Sequence, residues 1–441
     1  MAINSGDLHH TASYRRVAPI GSDLSAAILF CLSTVILGLE LAQALGAVVP
    51  VGVLGCCVLM MVLMREKLAT AGRTIWLTIF PVFCLLSTLW SDGSRITFYY
   101  SIQLIITVLS AYLVYLAVDL RRFLVVLLLS SAAICMFSIL SGKMGPSTKG
   151  PVLVGLTGSK NAMAACANLA LFAGIAVLFA REQAWPSRLV ALATIPMALF
   201  IISTTRAATF ILLSGVMPLF LLAFLTINWL PVRARLPIIL LILLIAAAGI
   251  VAAPAIIAYA QDEVFTTFGK DQTLTGRTYL WEVAREWAQE RPWFGWGYKY
   301  QWMSYSPGAI GMLRSQQLVD ARTFSLHQSF LEAQVDTGYV GLALLVATIA
   351  IGTVASLWRA LFDGGIATAF AATLLLSLII RAFGETLFGP FYAYGPITFA
   401  LLCYAIKPHD ADVQPTRWRR RYVSPTFPDE ASPSGARSVA L

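Results

Sequence analysis

Apolar runs of about 20 residues recur from the N-terminal third of this chain to its C-terminal tail, and they leave few choices of fold. At ~1.5 Å rise per residue, each is long enough to carry a helix across ~30 Å of hydrocarbon. Of the 441 residues, 58% are hydrophobic and only 12% charged, and the mean hydropathy is +0.77. That is the composition of a polytopic membrane protein, not of a soluble enzyme. The expected fold class is all-α, with about twelve transmembrane helices and one large external loop that contains a short amphipathic helix.

The spans are read at 22–40, 46–64, 74–90, 97–118, 123–140, 162–180, 187–203, 207–227, 236–259, 329–357, 365–383 and 388–406. The first has no clear cleavage site after it and reads as a retained span, not a signal peptide. The chain then divides into an N-terminal segment 1–21, spans over 22–259, a loop over 260–328, spans over 329–406 and a tail over 407–441 expected to be disordered.

Charge sets the orientation. Arg15, Arg16, Arg65, Lys67, Arg73, Arg121, Arg122, Arg181, Arg188, Arg233, Arg235, Arg359 and the tail "TRWRRRYV" all fall in joints on one side. The positive-inside rule makes that side, with both termini, cytoplasmic. The formal charge of +9 is therefore anchoring charge, and no nucleic-acid partner is expected. The seven cysteines lie in or beside apolar runs, with neither a disulfide framework nor a metal-thiolate spacing.

Polar character on the opposite side is confined to a few segments. In "TLTGRTYLWEVAREWAQERPWFGWG", Leu280, Val283, Ala284 and Trp287 share one helical face, and Glu282, Arg285, Glu286 and Gln289 share another. Pro292 stops this helix, which is expected to lie on the membrane surface or over the spans, with Trp281, Trp287, Trp293 and Trp296 near the interface. Arg277 stands at its N-terminal edge, where the helix dipole already favours an anion. Its guanidinium is suited to a phosphate or carboxylate, or else to a salt bridge with Asp262, Glu263 or Asp271.

Arg206, in "FIISTTRAATFILL", sits between two apolar runs, where a charge is costly unless it is paired, hydrated or snorkelling. His327 is the one histidine expected outside, since His9, His10 and His409 lie in the cytoplasmic ends. It is available for proton transfer near neutral pH, or is a helix-start residue bonded to backbone. A lone histidine does not make a zinc site, and no metal or other cofactor is expected. Arg381 and Glu385 are four apart at a span end, and Lys160 with Asn161 offers cation and amide donors. Together these groups suit a ligand with an anionic diphosphate and an apolar tail.

The ordered set "LTGSKN" at 156–161, "STTRAA" at 203–208, "LTGRTYLW" at 274–281, "RPWFGWG" at 291–297 and "HQSFLEAQVDTGYVG" at 327–341 resembles the O-antigen ligase and polymerase family, and within it the exopolysaccharide polymerase branch. The resemblance implies a glycosyltransferase of the bacterial inner membrane. It would take glycan from undecaprenyl diphosphate to the hydroxyl of an acceptor glycan at the periplasmic face, inverting and without a metal. It implies further that Arg206 and Arg277 engage the diphosphate and that His327 helps activate the acceptor hydroxyl, with either His327 or Glu385 expected to accept its proton. Lys160, Asn161, Arg381, Arg291 and Gln328 would bind substrate. A flippase, a chain-length regulator and membrane lipids are the implied partners. Ligases often carry His-Asn where this chain has His327-Gln328, a departure that weakens assignment as a ligase. A ligase acting on lipid A core and a membrane transporter are the competing readings.

Overall fold

The computed structural model describes residues 46, 48–65, 76–147, 150–231, 233–235, 237, 277–315, 325–389 and 394–406. The helices are α1 (Val48–Leu63), α2 (Ile79–Leu86), α3 (Ser94–Ala117), α4 (Leu120–Ser141), α5 (Lys160–Phe179), α6 (Trp185–Thr205) and α7 (Ala208–Ile227). After residues 238–276 come α8 (Arg277–Glu290), α9 (Tyr300–Met303), α10 (Pro307–Ser315), α11 (Ser329–Phe362), α12 (Ile366–Ala382) and α13 (Tyr394–Ile406). A two-stranded antiparallel hairpin, β1 (Met144–Gly145) with β2 (Val152–Leu153), pairs Met144 with Leu153 between α4 and α5.

Six of these helices, α3, α4, α5, α6, α7 and α11, are long and apolar enough to cross a membrane, and shorter apolar helices cover Val48–Leu63, Trp76–Leu89, Ile366–Ala382 and Tyr394–Ile406. The protein is thus a predominantly helical, multi-pass membrane protein. The expected span at 22–40 and nearly all of that at 236–259 lie outside the described residues, as do both terminal segments.

Helix α5 is the hub of the bundle and packs against α4, α6, α7 and α12. Its sequence explains why: Ala164, Ala165, Ala167, Ala170, Ala173, Gly174 and Ala176 are all buried, and small side chains let helix backbones approach closely where there is no water to expel. A Cβ on Gly174 would come within 3.4 Å of the Ala191 carbonyl in α6. Ser159 caps α5 by accepting the Ala162 N–H at 3.1 Å, and Asp119 caps α4 by accepting the Arg122 N–H at 2.8 Å.

Helix α11 has 34 residues but breaks at Gly338, whose φ of 66° and ψ of −167° are not helical. Unbroken, it would run ~50 Å, much longer than a bilayer core needs; the stretch after the break, ~36 Å, matches a slightly tilted span. The charged residues Glu332 and Asp336 lie before the break and the apolar run follows it.

The arginines of the short joints fasten helix ends to one another. Arg121 meets Glu182 at 3.8 Å, and Arg188 donates to the Ala180 carbonyl at 2.8 Å. Arg235 donates to the Leu361 carbonyl at 2.6 Å, and Arg359 donates to the Tyr404 carbonyl. These bonds gather the start of α4, the α5–α6 joint and the ends of α7, α11 and α13 at one end of the bundle. The ends that carry the candidate site residues meet at the other.

Candidate active site

The site is built around one carboxylate. Glu385 follows α12 in a turn closed by the Gly384 N–H on the Arg381 carbonyl at 2.8 Å. Its Oε1 accepts from the Asn161 side-chain amide at 3.1 Å, and its Oε2 is 3.3 Å from His327 Nδ1. Arg277 donates from Nη1 to the Gly384 carbonyl at 2.8 Å, with Nη2 3.8 Å from Glu385 Oε1. Four chain segments thus converge: the first turn of α5, the first residue of α8, the residue before the α11 cap, and the turn after α12. Arg277 finds its carboxylate in Glu385; Asp262, Glu263 and Asp271 lie outside the described residues.

Burial alone would push the Glu385 carboxyl up. The hydrogen bond with His327, and the charges of His327, Arg277 and Arg381, more than offset it and hold the carboxyl below its ordinary value. Glu385 is therefore an anion at neutral pH and can only accept. The hydrogen between it and His327 then belongs to Nδ1, so that whenever the ring carries a single proton its basic lone pair is on Nε2. This is the arrangement of a histidine base oriented by a carboxylate.

Arg381 does not bond Glu385 directly. α12 ends at Ala382, and the Arg381 guanidinium lies 5.0 Å from the Phe210 ring centroid and 4.1 Å from that of Tyr394, 7% exposed. Its buried Nε has no hydrogen-bond partner among the described residues. Phe210 is one turn beyond Arg206, which closes α6 in the left-handed conformation at φ 51° and is exposed. His327 is also left-handed, at φ 52°. Residues other than glycine hold that conformation only where their surroundings impose it, and such positions cluster at functional sites.

Lys160 opens α5, half-buried, beside Asn161. Gln328 is the N-cap of α11, its side-chain oxygen accepting the Leu331 N–H, so its amide shapes the helix start. Arg291 is placed differently. It pairs with Asp92 at 2.6 Å and stacks 4.0 Å from the Trp296 ring, and it is not among the groups brought to Glu385. Because that pair is partly exposed, Arg291→Ala is expected to cost at most about 1 kcal/mol of stability. Donor binding by this variant should match the parent in a filter-binding assay; a large loss would place Arg291 on the substrate.

The segment over 277–315 is not a loose loop. Leu280, Ala284, Trp287 and Ala288 of α8 form a second core with Trp302, Ala309, Met312, Leu313 and, from the start of α11, Leu331 and Val335. The polar face, Glu282, Arg285, Glu286 and Gln289, is exposed. The "RPWFGWG" stretch docks into the break of α11. Trp296 and Gly297 donate to the carbonyls of Val335 and Asp336 at 3.1 and 2.9 Å, and Tyr339 and Val340 donate to those of Pro292 and Trp293 at 2.8 and 3.2 Å. The backbone groups freed by the broken helix are thereby satisfied.

Sequence reasoning passed over Lys299, Glu332 and Thr386, which form a buried chain behind Glu385: Lys299 bonds Glu332, and Thr386 donates to Glu332 at 2.5 Å. The signal for Glu332 was present, because an acid at the head of an apolar run is costly unless it is used.

A bundle of apolar helices with a histidine, a carboxylate and several arginines gathered at one end defines a membrane protein equipped for polar chemistry at the edge of the hydrocarbon. Known proteins make the class specific. A family model described as O-antigen ligase matches residues 190–346, from α6 through the break in α11, and includes Arg206, Arg277, Arg291, His327 and Gln328. The exopolysaccharide production protein ExoQ of Rhizobium meliloti (strain 1021) is 27% identical over 304 residues, covering 68% of this chain and 69% of that protein. The chain is thus similar over residues 190–346 to proteins described as O-antigen ligases, and over two thirds of its length to an exopolysaccharide production protein. This likeness points to a glycan-processing transferase.

Proposed function

We infer that the protein is a polymerase of a surface or exopolysaccharide, joining glycan from undecaprenyl diphosphate to the hydroxyl of an acceptor glycan at the periplasmic face of the inner membrane. The observation that carries this reading is the Glu385 carboxylate, held between His327, Asn161 and Arg277 at one end of the bundle. The twelve-span topology with both termini cytoplasmic supplies the sidedness, since the basic joints gather at the opposite end.

In this mechanism the donor's tail lies among the helices and its diphosphate meets Arg277 and Arg206, with Lys160 and Arg381 adding positive field. The acceptor hydroxyl attacks the anomeric carbon on the face opposite the diphosphate, so configuration inverts. A new carbon–oxygen bond forms as the bond to the phosphate oxygen breaks, and its electron pair leaves on the diphosphate. The hydroxyl proton passes to His327 Nε2, while Glu385 holds the ring and stabilises the imidazolium. The arginines stabilise the charge that develops on the leaving oxygen. No metal is required in this scheme. A flippase that delivers the donor and a chain-length regulator would act with it.

His327→Ala is expected to lower turnover about 10²- to 10⁴-fold with donor binding retained; loss of donor binding would move His327 into the phosphate site. The pH dependence has a definite sign. A depressed carboxyl pKa means that the ionised dyad is intact above the ordinary carboxylate range and is lost as pH falls through the depressed value. Glu385 should therefore take up its own proton only below the ordinary carboxylate range, which infrared difference spectroscopy of the carboxyl band checks.

The decisive experiment supplies the purified protein, in liposomes and with chelator, with one undecaprenyl-diphosphate-linked repeat unit. A ladder of lipid-linked multiples establishes a metal-independent polymerase. The matched family description favours ligase as the second reading. An unchanged donor that is consumed once lipid A core is added would establish that reading instead.

A further inference from the structure

Three charged residues have no part in the chemistry above. Lys299, Glu332 and Asp336 are 5%, 6% and 3% exposed. Lys299, left-handed at φ 63°, ends the segment docked in the break of α11. Its ammonium bonds Glu332 Oε1, and Glu332 Oε2 accepts from Thr386 Oγ1 at 2.5 Å. Asp336, one turn further along α11, lines the same buried space as Lys299 and Glu332.

Thr386 directly follows Glu385, and the peptides on both of its sides are held by Ser329. The Ser329 hydroxyl donates to the Glu385 carbonyl at 2.8 Å and accepts the Leu387 N–H at 3.0 Å. The backbone of Glu385 is thus fixed from behind by α11, while its carboxylate faces His327, Arg277 and Asn161, with Arg381 acting through its field. The space beside the buried charges, lined by Lys299, Glu332, Asp336 and Thr386, is about 20 Å³, the size of one water. It is no binding site. Burial also lowers the Lys299 pKa, an effect that Asp336 and Cys84 oppose. A buried ion network is a weak source of stability, because desolvation consumes most of what attraction returns. What such a network does supply is a defined position.

We propose that Lys299, acting through Glu332 and Thr386, is a positioning residue that sets the Glu385 carboxylate against His327 and Arg277, so that docking of the 291–299 segment in the α11 break assembles the site. The proposal rests on the transferase reading for its purpose, but its geometry is testable separately.

The test uses the full chain in lipid nanodiscs and two readouts: titration of the Glu385 carboxyl by infrared difference spectroscopy, its band identified by loss in Glu385→Gln, and ladder formation from the lipid-linked repeat unit. Lys299→Met alone strands the Glu332 charge in the interior and is a folding defect, not a test. The informative variants are Lys299→Met with Glu332→Gln and Asp336→Asn, which removes all three charges, Thr386→Val, which cuts the last link, and Thr386→Ser, which keeps the hydroxyl.

Once Glu385 is displaced from its cations but still buried, its titration should move up by about one pH unit in the first two variants, a tenfold weaker hold on the ionised form. Their kcat should fall about tenfold, with KM for the donor little changed, the pattern of lost transition-state interaction. Thr386→Ser should behave as the parent. An unmoved Glu385 titration in both Thr386→Val and the triple variant overturns the proposal whatever happens to activity, as does a Thr386→Ser shift equal to that of Thr386→Val. A shifted titration in a protein whose parent makes no ladder would defeat the transferase reading and leave the positioning role standing.

Discussion

Arg277→Lys should lower turnover about 100-fold or more while membrane insertion and protein level stay normal. The parent guanidinium reaches two neighbours at once: Nη1 bonds the Gly384 carbonyl at 2.8 Å, and Nη2 lies 3.8 Å from Glu385. Its side chain keeps about a quarter of its surface exposed, enough to be reached by a diphosphate. A lysine preserves the unit charge but offers a single ammonium, which cannot brace the Gly384 turn, balance Glu385 and meet a phosphate in one planar fork. The loss should fall on the chemical step more than on folding, because Arg277 is at the mouth of the site and outside the loop's own core. The measurement is ladder formation per mass of reconstituted protein, beside the thermal transition of the same preparation. Normal product at normal protein level would remove Arg277 from the centre of the mechanism.

Gly338→Ala is expected to act on the fold. A Cβ there would lie 2.3 Å from both the carbonyl carbon and the carbonyl oxygen of Trp293, rigid backbone that has no rotamer to escape into. Its dihedral pair, φ 66° and ψ −167°, also belongs to a region that is essentially glycine's alone. Strain and overpacking together should cost roughly 3–5 kcal/mol, a large part of a typical domain's stability. The four backbone bonds between 292–297 and 335–340 would be the first lost, and with them the docked loop. A lowered apparent melting temperature and rapid trypsin cleavage within residues 277–315 are the expected readouts. A variant with parental melting and protease resistance would show that the break in α11 does not depend on Gly338.

Much of the fold was legible in local pattern. Ten of the twelve apolar runs correspond to apolar helices among the described residues, six of them of spanning length, because a run that is apolar on every side has no other stable form in lipid. The 3.6-residue period of Leu280, Ala284 and Trp287 likewise marked the face that α8 buries. What period could not reveal was where that face goes. It packs on the start of α11 and on Trp302 and Met312, over the bundle, so the tryptophans are divided between core and surface.

The candidate site was legible as a list of residue types and not as an arrangement. His327, Arg277, Asn161 and Glu385 were each conspicuous as polar residues at the rim of apolar runs. The i,i+4 spacing of Arg381 and Glu385 suggested a direct pair. The structure instead ends α12 between them, stacks Arg381 on Phe210 and Tyr394, and gives Glu385 to His327 and Asn161. The buried Lys299–Glu332–Thr386 chain was missed because nothing local links a lysine in an aromatic loop to an acid 33 residues away.

The order of motifs and the apolar periodicity carried the membrane class, the amphipathic helix and the family resemblance, since each is a property of neighbouring residues or of their succession along the chain. The carboxylate that organises the site was decided by packing alone. Its partners stand 58 and 224 residues away, and a buried charge takes as partners whichever donors the converging helix ends bring within reach.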